Sequence, residues 1–190
     1  MSFNLFKTSR VNFFRRVLIS SVTCLSAITY NTVAITQTNS SSQIVTTFLP
    51  IHLFTQAVVG DTAKVDILIS PGMEVHDYQA TPGDARLLAQ ADVLVENGLG
   101  MEEFLSGLVA NAGNSQLQQI NASEGIEVIE EEHEEHGHNH DHGHHHEEGN
   151  PHVWLDPVLA QQQVANIRDG LIAIDPNNAN SYRTNADAYI

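Results

Sequence analysis

From residue 44 onward, short β-branched runs alternate with helical segments, and this alternation constrains the fold more than any other feature of the sequence. Residues 44–48 read as a strand. Pro50 then suits the first turn of a helix, where a missing N–H costs nothing, and Ile51, Phe54, Val58 and Val59 give that helix an apolar side. Gly60-Asp61 ends it, and residues 64–69 read as a second strand. Thr81 is an N-cap followed by Pro82 at the first helical position, with Ala85, Leu87, Leu88 and Ala91 as the apolar face. Residues 92–95 form a third strand, 101–110 a third helix, and either 118–120 or 127–129 a fourth strand, before a helix over 157–174. Strands separated by helices point to an α/β fold, a single lobe with a mainly parallel four-stranded sheet and flanking helices. Ligands of such sheets bind beyond the carboxyl ends of the strands. The loops after residues 48, 69, 95 and 129 are therefore where a site is expected.

The charge pattern narrows the function. With 8 Lys+Arg against 23 Asp+Glu, the chain lacks the basic clusters that contact with phosphate requires, so no nucleic acid is expected as a partner. The single Cys excludes a disulfide framework and any site built of several thiolates. Residues 1–34 carry Lys7, Arg10, Arg15 and Arg16 and no acid, followed by an apolar run and the small-residue stop Thr32-Val33-Ala34. That is the layout of a secretory signal peptide, with cleavage after Ala34. The apolar run falls short of the roughly 20 residues of a membrane span. Residues 35–43, rich in Thr, Ser and Asn, read as a flexible leader.

Histidine is the unusual residue, with 11 in the chain. Eight of them, His133, His136, His138, His140, His142, His144, His145 and His146, fall in the acidic segment 130–148, which holds no hydrophobic residue and cannot bury a core. Alternating His-x-His sets imidazoles on one side of an extended chain, about 6.5–7 Å apart. The neighbouring carboxylates concentrate cations there, so the segment reads as a metal-binding loop rather than a solvated charge run. His76 follows the second strand in Pro71-Gly72-Met73-Glu74-Val75-His76-Asp77-Tyr78, and His152 lies in Asn150-Pro151-His152-Val153-Trp154-Leu155-Asp156-Pro157 ahead of a helix. Two neutral imidazoles from separate loops could begin a tetrahedral zinc site, although a lone loop His is more often an ordinary polar residue. His52, in the first helix, reads as a surface or packing residue. His133-Glu134-Glu135-His136 is one residue short of a metalloprotease H-E-x-x-H, and no nucleophile elbow, P-loop or dinucleotide fingerprint occurs, so no enzyme is expected.

Four ordered motifs resemble one family: Thr47-Phe48-Leu49-Pro50, the Pro71–Tyr78 run with Thr81-Pro82, the stretch Ala91-Asp92-Val93-Leu94-Val95-Glu96-Asn97-Gly98, and the Asn150–Pro157 run directly after the His-rich insertion. Together they are similar to the first half of the zinc/manganese substrate-binding proteins of bacterial ABC importers, the ZnuA-like zinc binders especially. The resemblance implies a periplasmic, monomeric protein that binds Zn²⁺ rather than Mn²⁺ and partners an ABC importer membrane permease. It implies that residues 44–174 form the N-terminal metal-binding lobe, with His76 and His152 as cleft ligands and the eight loop histidines as accessory ones. Val75 stands where some zinc members carry an acid, which leaves Glu74 as the nearest supporting carboxylate. Ala179, Tyr182, Ala186 and Tyr189 mark residues 175–190 as the start of the helix that joins two lobes in the family. On that basis the chain is expected to be a fragment, a truncated gene product or half of a split protein, with the second lobe absent or separately encoded. The competing readings are a zinc buffer or chaperone acting through the His-rich loop alone, and a non-functional remnant.

Overall fold

The structure, a computed structural model, describes residues 42–128 and 149–190. The expected signal peptide and the His-rich segment 130–148 lie outside the described residues, as does nearly all of the leader. Among the described residues four strands, β1 (Gln43–Thr46), β2 (Lys64–Ile67), β3 (Val93–Glu96) and β4 (Gln118–Asn121), form one sheet in the order β2-β1-β3-β4. Every pairing is parallel. The helices are α1 (Leu49–Val59), α2 (Pro82–Gln90), α3 (Leu105–Ala112), α4 (Pro157–Ile174) and α5 (Ala179–Tyr189). No helix of the described residues is long and apolar enough to cross a membrane.

The two inner strands explain the alternation of the sequence. Ile44 and Val45 of β1 and Val93, Leu94 and Val95 of β3 are all buried, as consecutive residues must be when both faces of a parallel sheet are covered. Helix α1 packs with α4 and α5, and α2 packs with α3. Thr81 and Asp84 close a reciprocal capping box at the start of α2, which satisfies N–H groups the helix cannot. Chain order reverses between β1 and β3, and parallel sheets form their ligand crevice at such a switch point.

Several boundaries differ from the sequence reading, among them the end of β1, which is Thr46 rather than residue 48. The leader was expected to reach residue 43, but Gln43 opens β1, because its N–H donates to Asp92 at 2.8 Å and Ser42 accepts from the Lys64 N–H. The fourth strand is the 118–121 segment; residues 126–128 carry no strand. The second strand ends at Ile67, yet the N–H groups of Leu68 and Ile69 still reach the carbonyls of Thr46 and Thr47 at 2.9 Å, carrying that ladder to the edge of the crevice. The third helix begins at Leu105 rather than 101, since Gly98, Leu99 and Gly100 all take positive φ and turn the following residues inward. At Leu99, φ is 55°, a conformation that a branched side chain adopts only under constraint.

The stripe read at residues 175–190 is buried in its middle. Tyr182 and Ala186 are enclosed, the Asn185 side chain donates to the Val58 carbonyl at 2.9 Å, and the Tyr182 hydroxyl donates to Asp175 at 3.0 Å. Helix α5 thus packs on α1 and α4 within the same compact unit as the sheet.

Candidate metal site

Two loops at the carboxyl edge of the sheet carry the histidines singled out in the sequence. After β2, Pro71 and Gly72 make a turn, with Gly72 at φ 90°, where a side chain would be strained. Val75 then tucks into the core, and Tyr78 anchors the loop beyond it: its hydroxyl donates to Asp84 at 2.8 Å and its ring meets Phe104 edge-on at 5.0 Å. Burial, with the Asp84 carboxylate adding, pushes the Tyr78 hydroxyl up to about 12, so it stays a donor. His76, half-buried, stands between these two anchors.

His152 is held from three sides. The carbonyl of Pro151 accepts from the Asn97 side chain at 3.1 Å. The Trp154 ring lies 5.2 Å from the imidazole and in turn meets Phe48, which follows β1, edge-on at 4.9 Å. Asn150 Oδ1 lies 3.0 Å from the His152 backbone N and 2.8 Å from its Nδ1. A backbone N–H can only donate, so the Asn150 atom that receives it is the oxygen. The ring nitrogen facing the same oxygen must therefore be Nδ1–H, which places the imidazole lone pair on Nε2.

The His76 and His152 rings come together with centroids 5.8 Å apart and planes inclined by 57°. Two imidazoles bound to one tetrahedral zinc at about 2.0–2.1 Å would have centroids about 5 Å apart. The observed separation exceeds that value by less than about 1 Å. A cleft of about 290 Å³ opens beside them, lined among others by Phe48, Met73, Glu74, His152 and Trp154, and a depression of about 310 Å³ lies on the His76 side against Tyr78, Glu103 and Phe104. Glu74 is exposed at the rim of the first. Among the described residues no group of three or more His, Cys, Asp or Glu is arranged to hold a metal ion. The eight His of the acidic segment lie outside the described residues. His52 is half-buried against the Thr46 hydroxyl at 3.1 Å, and burial lowers its pKa against the opposing pull of Asp66; it takes no part in the cleft.

Sequence reasoning missed the buried polar groups beneath the pair. Glu102, 7% exposed, receives the Thr47 hydroxyl at 2.6 Å, the Asn97 N–H at 2.8 Å and the Gly98 N–H at 3.2 Å. Burial pushes its carboxyl up to about 7, with the charge of Glu96 adding and the three donors pulling the other way. Asn97 Oδ1 accepts from Gln163 of α4 at 2.9 Å, and Gln163 also donates to Ser123 at 2.9 Å. Glu102 stands beside the exposed Glu103 and inside what reads as a helix, so nothing in its local pattern marks it as buried.

Comparison with known proteins bears on this arrangement. A family profile described as "Zinc-uptake complex component A periplasmic" matches residues 44–190. The High-affinity zinc uptake system protein ZnuA of Bacillus subtilis is 41% identical over 148 residues, covering 77% of this chain and 46% of that protein. Crystalline Zn(II)-bound AdcA from Streptococcus pneumoniae superposes with a TM-score of 0.66 at 35% identity over 79% of this chain and 30% of its own. The Mn-bound periplasmic metal binding protein from Candidatus Liberibacter asiaticus gives a TM-score of 0.67 at 30% identity, covering 78% of this chain and 51% of that one. The chain thus spans about half or less of the length of these relatives.

Proposed function

Because the chain belongs to the ZnuA family of zinc-uptake component A proteins, we propose that it forms the zinc-binding lobe of a periplasmic substrate-binding protein serving the permease of an ABC importer. The observation that carries the proposal is the facing pair of His76 and His152, each on its own anchored loop, at the crevice edge of a parallel sheet. Imidazole nitrogen suits Zn²⁺ better than Mn²⁺. The family consists of transport proteins rather than enzymes, and the role proposed here is ligand exchange without catalysis. The two imidazoles occupy two of the four positions zinc usually takes; a facing lobe, as the family resemblance implies, supplies the rest. The acidic His-rich segment adds a weaker store of zinc, its imidazoles and carboxylates gathering cations.

A zinc titration of three forms of the chain tests this: wild type, a deletion of residues 130–148, and His76→Ala. Trp154 is the single tryptophan and packs against His152, so its emission reports the cleft rather than the segment. A one-to-one event that survives the deletion and is lost in His76→Ala is the expected result. The reverse pattern refutes the cleft and leaves a buffer acting through the His-rich segment.

A further inference from the structure

The crevice between β1 and β3 is floored by a buried carboxylate that metal coordination does not use. Glu102 collects three donors from the two loops that leave the switch point: Thr47 after β1, and Asn97 and Gly98 after β3. From each loop a chain of contacts runs on to His152. Thr47 precedes Phe48, whose ring packs against Trp154, and Trp154 packs against His152. Asn97 donates to the carbonyl of Pro151, the residue before His152. We propose that Glu102 is a positioning residue for the metal site, holding both supports of His152 in register by drawing the β1 and β3 loops onto one carboxylate. The inference rests on the zinc-binding reading of the His76–His152 pair.

The local cost argues that this arrangement serves the site. Burying an acid costs stability that an apolar residue would not. To bring Glu102 inward the chain also holds Leu99 at φ 55° and delays α3 until Leu105. What is obtained for these costs is geometric. Beyond the last ladder bond, from the Thr47 N–H to the Val95 carbonyl at 3.2 Å, the two loops are joined through this carboxylate into one network, which reaches α4 through Asn97 and Gln163. Ligand loops held this way have little freedom left to lose when an ion arrives.

The test uses the full chain and zinc alone. Glu102→Gln preserves the shape and one acceptor oxygen but turns an amide –NH₂ toward a donor that the carboxylate now receives. Expected are an unchanged far-UV circular dichroism spectrum, a shifted Trp154 emission in the zinc-free protein, and zinc binding weakened about 10-fold, as for supporting residues of other metal sites. His152→Ala, run in parallel, should abolish the zinc-dependent change in Trp154 emission. If His152→Ala binds like the wild type, the zinc reading itself falls. If His152→Ala loses binding while folded Glu102→Gln keeps wild-type affinity and emission, the positioning role alone is overturned. Should Glu102→Gln fail to fold, Thr47→Val decides, since it removes one donor at constant shape in a fully buried position. A weakened Thr47→Val supports the role, and wild-type binding refutes it.

Discussion

Removing the side chain of Asn150 tests how the cleft presents His152. Its Oδ1 receives the backbone N–H at 3.0 Å and the ring Nδ1–H at 2.8 Å, so one atom sets both the tautomer and the tilt of the imidazole. Asn150 is exposed, and Asn150→Ala should cost the fold no more than about 1 kcal/mol, the net worth of an ordinary hydrogen bond. The larger effect falls on binding. Without the acceptor the Nδ1–H tautomer loses the hydrogen bond that favours it, and zinc binding must make up that difference. A hydrogen bond worth about 1–1.5 kcal/mol converts to roughly 10-fold in affinity, the lower end of the range for residues that orient metal-bound histidines. Competition for zinc against a chelator of known affinity, followed by Trp154 emission, measures the change. Asn150→Asp keeps the acceptor and should remain close to wild type. Wild-type affinity in Asn150→Ala refutes the tautomer argument, and so does an Asn150→Asp variant that falls as far as Asn150→Ala.

Two further predictions concern the floor of the crevice. The Glu102 carboxyl is raised in the folded protein from 4.5 to about 7, so the folded state holds that proton more tightly than the unfolded one. The resulting stability is present below about pH 4.5 and lost as pH rises through about 7, on the order of 3 kcal/mol in all; Glu102→Gln should flatten this fall in urea melts between about pH 5 and pH 8, and an unchanged slope refutes the assignment to Glu102. Gly98 sits at φ 82°, and a Cβ there would collide with the Asn121 side chain, so Gly98→Ala should cost more than about 2 kcal/mol by urea denaturation, with a neutral result refuting the clash.

The fold was largely legible because its signals are local. β-Branched runs, Pro50 and Pro82 near helix starts, and the Thr81–Asp84 cap each act within a few residues, and each stands where the sequence placed it. Misplaced boundaries arose where a distant partner decides the outcome. Gln43 belongs to β1 because Asp92 receives its N–H from 49 residues away, and α3 starts late because Glu102 faces a threonine 55 residues earlier. Local propensity carries no trace of either. The choice between 118–120 and 127–129 was likewise settled by pairing, since Ile120 stands opposite Val95 of a central strand.

The site divides along the same line. Metal-ligand chemistry belongs to residue types, so His76 and His152 could be picked out by type and by their place after sheet strands. The groups that present them are ordinary residues made important by burial. Glu102 and Glu103 are adjacent and chemically identical, yet the first is nearly sealed against Thr47, Asn97 and Gly98, while the second lines an open depression with Phe104. Which neighbour turns inward depends on the left-handed turn at residues 98–100, and the inward carboxylate in turn receives the N–H groups of Asn97 and Gly98 where that turn begins. Turn and carboxylate are each the condition of the other. A circular dependence of this kind closes only in three dimensions, which is why the crevice floor escaped a reading of the chain in one.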